Sequence, residues 1–388
     1  MLNYNLPADA LTSDLLTFLR EGMVRDAATE QAIALVRTEY LKSVAQGAPV
    51  SADILSALAS FCRDHEYTFA VSAEDEVNLT RLDPARSKVE NLMTACFWPI
   101  FEEALPLNDI SNLRPISNAV SDAVRAQYEE SPYPRWRVLP DLPEPDTAAN
   151  ILVAGCGTGQ EALIYAKASP HSWVTGLDLS RVSLAYALAQ ARARNIANVR
   201  FMQGDILDVA LLEQKFDSIK CSGVLHHMED PLRGLRALTS VLADGGKIFL
   251  ALYSARSSEP KEAAIQLRKA RNAPATDNGI RQFRQEIFAL PTNHPARNAL
   301  NSIDFYSVSG TRDLLFHVQE RYYSVWDVKA LVEAAGLRLV RFGIGAKPEQ
   351  RFRDMGFTDF SDLASWDKVE ERHPGTFSGM YRMLLEKV

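Results

Sequence analysis

Residues 151 to 161 read Ile151-Leu152-Val153-Ala154-Gly155-Cys156-Gly157-Thr158-Gly159-Gln160-Glu161. Four apolar residues make a short strand, alternate glycines make a turn, and the residues that follow open a helix. Glycine permits positive φ and close backbone approach, so a ligand can rest against the loop and the helix N-terminus. A nucleotide-like cofactor is expected there. The dinucleotide fingerprint needs its third glycine at position 160, where this chain has Gln, and a phosphate-binding P-loop needs Gly-Lys-Ser/Thr, which is absent. NAD and ATP both lose ground.

Outward from the turn, strands alternate with helices. Glu161 to Ala168 reads as a helix, Trp173 to Leu177 as a strand, and Ser180 to Arg194 as a helix. Asn198 to Met202, Phe216 to Lys220 and Lys247 to Leu252 supply three more strands, with Pro231 to Leu242 as a crossover helix. Leu337 to Phe342 and Met380 to Leu385 should finish the sheet. Such alternation implies an α/β fold, a parallel sheet with helices on both faces. Asp178 follows the second strand, 23 residues beyond the first loop glycine, where a carboxylate can accept hydrogen bonds from both hydroxyls of a ribose. After the third strand comes Gly204-Asp205-Ile206-Leu207, in which Asp205 can accept from an adenine amino group while Ile206 packs on the ring.

In Val153 to Glu161, Leu177-Asp178-Leu179, Gly204-Asp205-Ile206 and Asp244-Gly245-Gly246 the chain resembles the class I S-adenosylmethionine-dependent methyltransferases. The resemblance covers roughly residues 128 to 252 by motif. It implies S-adenosylmethionine as cofactor and a Rossmann-like, seven-stranded sheet with an antiparallel last strand. It also implies that Gly155, Gly157, Gly159, Asp178, Leu179, Asp205 and Ile206 bind the cofactor, with Cys221 at the border of the site. A narrower set of segments is similar to a proteobacterial methyltransferase group: Tyr128-Glu129-Glu130-Ser131-Pro132-Tyr133-Pro134-Arg135-Trp136, Gly223-Val224-Leu225-His226-His227, Leu252-Tyr253-Ser254 and Arg312 to Glu320. Some members of that group carry tetratricopeptide repeats, and it is related to outer-membrane-protein lysine methyltransferases. No repeat of about 34 residues is visible in this chain.

Upstream of the sheet the pattern is helical. Leu11, Leu15, Phe18 and Leu19, then Ile33, Val36, Tyr40, Leu41 and Val44, then Ile54, Leu55, Leu58, Phe61 and Cys62 recur at three-to-four spacing, which predicts three amphipathic helices. Seven prolines between Pro106 and Pro145 mark a junction. The expected organisation is an N-terminal all-α domain over 1–115, a proline-rich, cofactor-covering segment over 116–148, and a methyltransferase domain over 149–388 with an inserted helical cap at about 255–305. Residues 256 to 298 hold eight basic and four acidic side chains, which reads as a solvated helix face or a seat for an acidic peptide.

The whole chain has 388 residues, 47% hydrophobic and 23% charged, with 42 Lys plus Arg against 49 Asp plus Glu and a net charge of −7. That is the composition of a folded globular chain, and the acidic balance disfavours a dedicated nucleic-acid binder. Cys62, Cys96, Cys156 and Cys221 lie far apart and read as reduced thiols. The N-terminus has no basic n-region, and no stretch reaches the ~20 apolar residues of a membrane span, so no membrane association and a cytoplasmic location are expected.

Methyl transfer from a sulfonium asks the protein mainly to align donor and acceptor and to exclude water. An amine acceptor must first lose a proton, which directs attention to tyrosines and histidines near the methyl group. His226 and His227, after the fourth strand, either orient an acceptor and take its proton or shape the pocket wall. Tyr253, with Ser254, follows the fifth strand and either reaches substrate or marks a strand exit. Tyr133 and Arg135 are placed to close over the methionine end of the cofactor, with the guanidinium on its carboxylate; Trp136 reads as core. His317 and Glu320, three apart, would share one side of a helix, but two ligands do not make a metal site and no metal is expected. The fourth strand does not end in Asn/Asp-Pro-Pro-Tyr, so DNA-adenine methylation falls in rank.

The preferred expectation is methylation of a protein or peptide amine, most simply lysine, with the additional helices as a docking surface. The alternatives are an O- or N-methyltransferase for a small metabolite, and a cofactor-binding regulator or assembly subunit without turnover, in which the N-terminal helices form a homodimer contact.

Overall fold

The computed structural model describes residues 13–21, 24–47, thirteen positions between 51 and 81 (51, 53, 54, 57, 58, 61, 62, 65, 66, 68, 77, 78 and 81), and 105–388 apart from 135, 137 and 144–147. The chain divides into two compact units, residues 1–104 with 260–316 and residues 105–259 with 317–388.

In chain order, α1 (Ser13–Glu21) and α2 (Ala27–Ala45) come first, followed by β1 (Ser111–Asn112) and α3 (Ala119–Glu130). The alternating region holds β2 (Asn150–Ala154), α4 (Gln160–Ala168), β3 (Trp173–Asp178), α5 (Arg181–Ala193), β4 (Val199–Gln203), β5 (Phe216–Ser222), α6 (Pro231–Val241) and β6 (Leu242–Tyr253). Three helices follow, α7 (Ala255–Arg271), α8 (Asp277–Ala289) and α9 (Val308–Phe316). The chain ends with α10 (Val325–Ala334), β7 (Leu337–Phe342), α11 (Ala346–Asp354), α12 (Leu363–Arg372) and β8 (Met380–Lys387).

The second unit is built on one sheet of order β1-β4-β3-β2-β5-β6-β8-β7, with β8 antiparallel to both of its neighbours. It has eight strands where seven were expected. The additional one, β1, has only two residues, Ser111 and Asn112, in register with Met202 and Gln203 of β4. Two polar residues among prolines give no periodicity to read.

Strand alternation sets the two faces of the sheet. Leu152 and Ala154 of β2 join a core with Leu235 and Leu238 of α6, Val328 of α10 and Trp366 of α12. Ile151 and Val153 face the other way, into a core with Ala162 and Leu163 of α4 and Leu184 and Ala187 of α5. Helices start where the sequence supplies caps: Ser180 accepts from Ser183 before α5, Asp230 precedes Pro231 at the head of α6, and Ser324 with Asp327 forms a capping box on α10. Helices α4 and α11 instead begin at glycines, Gly159 and Gly345, with no side-chain cap.

The first unit has its own core, in which Leu19 and Leu41 of the N-terminal helices pack with Ile280, Phe283 and Ile287 of α8 and Phe305. At its centre the fully buried Arg284 donates to Glu30 Oε2 at 2.6 Å, to Phe305 O at 2.6 Å and to Thr68 O at 2.9 Å. The basic residues read from sequence as a solvated face are largely internal ties. Arg297 donates to the carbonyls of Ile287, Phe288 and Leu290, and Arg281 to that of Glu66. Among the described residues, no helix is long and apolar enough to cross a membrane.

Candidate active site

All of the site residues described here belong to the second unit. The glycine turn leaves β2 and returns into α4 with φ of +70° at Gly155 and +51° at Gly157, values that favour glycine. Space also demands it: a Cβ on Gly155 would stand 2.3 Å from Val224 Cγ2, and one on Gly157 would stand 2.9 Å from the carbonyl oxygen of Tyr133. The amides of Gly155 and Cys156 both donate to Leu177 O, at 2.7 and 3.1 Å, which pins the turn to the end of β3. There Asp178 accepts from Gly157 N at 2.7 Å on Oδ2 and from Ser180 N at 2.8 Å on Oδ1. Each oxygen keeps a second lone pair, the number needed for two ribose hydroxyls. Burial raises the Asp178 carboxyl above the ordinary aspartate value, while the amides of Ser180, Gly157 and Leu179 oppose the rise.

The proline-rich segment is fastened across this turn. Ser180 Oγ donates to Tyr128 O at 3.1 Å and Arg181 N to Glu129 Oε1 at 3.1 Å, which ties the end of α3 to the start of α5. Farther along, Thr158 Oγ1 donates to Pro134 O, and the indole N–H of the buried Trp136 donates to Thr158 O at 3.1 Å. Tyr133 is thereby held against Gly157. Arg135, the expected partner of a carboxylate, lies outside the described residues.

Asp205 is buried at the end of β4, with Oδ1 accepting from Leu207 N at 2.9 Å. Ile206 is buried beside it, and Leu179 is half-buried with its carbonyl accepting from Gln203 Nε2 at 2.9 Å. Cys221 is fully buried in the core below, and burial pushes its thiol well up, as it does for Cys156. Neither thiol is built for nucleophilic work.

Beyond β5 and β6 the structure gathers the four polar aromatic residues chosen from sequence. His226 packs its ring 4.0 Å from that of Tyr253 and 4.2 Å from that of His227. His227 stacks on His317 at 3.6 Å. Hydrogen bonds fix two tautomers. His227 Nδ1 meets Gln319 O at 2.7 Å, and a carbonyl only accepts, so the neutral ring has its lone pair on Nε2. His317 Nδ1 accepts from Gln319 N at 3.2 Å, so its proton is on Nε2, which donates to Tyr128 Oη at 3.3 Å.

Two sequence readings change here. Helix α9 ends at Phe316, so the spacing of His317 and Glu320 is not helical; the Gln319 amide turning back onto His317 sets the conformation instead. Ser254 does not reach outward: it is fully buried and donates to Glu370, which Tyr381 also contacts. Tyr322, overlooked in the sequence, donates to Glu320 and lies 6.3 Å from the Tyr253 ring. Glu320 together with His226 and His227 places one ligand-type atom each within 4.8 Å, a grouping that the pair read from sequence did not include.

Residues 145–290 match a family model described as a methyltransferase domain. An uncharacterized protein of Synechococcus sp. is 30% identical over 292 residues, 65% of this chain and 68% of its own length. The chain belongs to the S-adenosylmethionine-dependent methyltransferases. A malonyl-[acyl-carrier protein] O-methyltransferase of Paenibacillus sp. is 30% identical over 109 residues, of which this chain spans 40% of the relative's length. Among solved structures, PKMT2 from Rickettsia typhi in complex with AdoHcy is similar, with a TM-score of 0.48 and 16% identity over 72% of this chain and 54% of that one.

The methyltransferase's residues fit its cofactor on the geometry above. Two glycines let the turn pack against Val224 and the Tyr133 carbonyl where a Cβ would clash, Asp178 keeps acceptor capacity toward a ribose, and Asp205 with Ile206 offers a carboxylate and an apolar wall for a base. S-adenosylmethionine, when bound, supplies an activated methyl group that carries its own leaving group. With the cofactor bound, Asp178 would hold the ribose, and Asp205 with Ile206 would hold the base. Tyr128 and Tyr322 escaped sequence reasoning because they join the cluster only through chain folding; Tyr128 had a place in a motif-like segment as a signal, and Tyr322, two residues beyond one, had none.

Proposed function

We propose that this methyltransferase acts on an amine of a protein or peptide, with lysine as the acceptor. The observation that carries the reading is the cluster of His226, His227, His317 and Tyr253, with Tyr128, Tyr322 and the Glu320 carboxylate around it. As a neutral amine attacks a methyl group, positive charge develops on its nitrogen. Aromatic faces and a nearby carboxylate stabilise such charge, and in a site that excludes water the effect is enlarged. His227, with the lone pair on Nε2, is suited to take the proton that an incoming ammonium must lose. A carboxylate acceptor would lose negative charge in the same step and would gain nothing from this surrounding.

The test is transfer of a radiolabelled methyl group from S-adenosylmethionine into extract of the source organism, fractionated by size. Label in macromolecules that protease releases, with methyl-lysine after hydrolysis, is the expected result. Label confined to small molecules would overturn the reading, and no transfer at all would favour a binding subunit.

A further inference from the structure

A cavity of about 420 Å³ lies in the second unit between the end of β7, the start of α11 and the turn before β8. Its lining includes Lys347, Arg351 and Arg382 and no acidic residue. Among the described residues, none of these three side chains has an acidic partner, although the whole chain carries a net charge of −7. Lys347 and Arg351 stand four apart on α11, the spacing at which like charges on one helix face repel. Such an arrangement gains most from an anion placed among the cations, above all carboxylates that an arginine can take in two parallel hydrogen bonds. Gly343, Gly345 and Gly375 add no side chains of their own to the lining.

The cavity also adjoins the methyl-transfer site. Met380 lines it, and in the β6–β8 ladder Met380 is the direct partner of Tyr253, whose ring packs on His226. The other side of Met380 borders Gly223, with its Cε 3.8 Å from where a Cβ would stand. Met380 and Arg382, two apart on β8, share a face of the sheet while Tyr381 is buried in the core on the opposite face. A chain seated with one residue against Tyr253 would therefore reach the cations with residues only a few positions away.

We propose that this cavity docks an acidic segment of the peptide that carries the acceptor, with Arg351 and Arg382 pairing its carboxylates. The proposal rests on the peptide-amine reading and adds a sequence preference to it: aspartate or glutamate beside the methylated residue.

The test uses the full chain and a fluorescein-labelled, acetylated hexaglutamate amide, which contains no lysine. Polarisation should show binding that weakens at least tenfold in the double variant Arg351→Gln/Arg382→Gln and less steeply with salt than in wild type. S-adenosylmethionine affinity within twofold of wild type would show that the variant is folded. Equal binding of the probe by wild type and double variant would overturn the docking site, as would complete displacement by inorganic phosphate at matched charge, which would assign the cavity to a free anion. Methylation of lysine peptides with and without flanking glutamates separates the two levels. No label in any lysine peptide would overturn the amine reading, whereas equal kcat/KM with and without glutamates would overturn the docking alone.

Discussion

The carboxylate of Asp178 accepts the amide of Gly157 at 2.7 Å, so the residue placed to hold a ribose also holds the glycine turn in shape. Burial raises that carboxyl above the usual aspartate value. Ribose hydroxyls and the two amides need the ionised form, so protonation opposes cofactor binding. Affinity for S-adenosylmethionine should therefore fall as pH falls, starting above the range of an ordinary aspartate and approaching tenfold per pH unit for one proton. Calorimetry in buffers of different ionisation enthalpy, which reads proton release on binding, checks this directly. Affinity that stays level down to the ordinary aspartate value would contradict it.

Gly155 gives a second prediction. In Gly155→Ala the new Cβ meets Val224 Cγ2 at 2.3 Å, and φ is +70°. Overpacking of this kind costs about 1–3 kcal/mol. The variant should melt lower than wild type and bind S-adenosylmethionine more weakly. An unchanged melting temperature together with unchanged affinity would show that the turn has slack the structure does not display.

The buried pair of Glu30 and Arg284 predicts a stability effect in the first unit. Glu30→Ala leaves Arg284 uncompensated at a fully buried position. Removing one member of such a pair costs about 3–5 kcal/mol. Urea denaturation should show a large shift of midpoint, with cofactor affinity of the folded protein retained. A shift below 1 kcal/mol would mean that the hydrogen bonds of Arg284 to Phe305 and Thr68 carry it alone.

For the acceptor side, His227→Ala and Tyr253→Leu should lower kcat about 10²-fold or more, within the usual range for a proton-transfer group, and leave S-adenosylmethionine affinity near wild type. With an amine acceptor, kcat should rise tenfold per pH unit until the bound amine is neutral, at a value below the ~10.4 of free lysine because the site is less polar than water. A flat profile would indicate an acceptor that needs no deprotonation.

The geometry of the candidate cofactor site, the glycine turn and the two acids, was legible in the sequence because each part is local: an apolar run into glycines, then an acid at the end of each of the next two strands. Strand and helix positions followed from the same alternation, and Leu337–Phe342 matched to the residue. What escaped has no local signal. Strand β1 is two polar residues among prolines. The link from Arg284 to Glu30 spans 254 positions, so its charge looked like surface. The spacing of His317 and Glu320 suggested a helix that ends at Phe316. Lys347 and Arg351 of α11 and Arg382 of β8 come from two separate segments, and only the fold brings them to one cavity.

The most direct test of the account is a calorimetric titration of S-adenosylmethionine into wild type and Asp178→Ala. Wild type should bind with micromolar affinity, and the variant should lose about 1.5–3 kcal/mol, the range for hydrogen bonds to a charged group. Equal binding by both proteins would contradict the placement of the ribose at Asp178 and, with it, the site built around that residue.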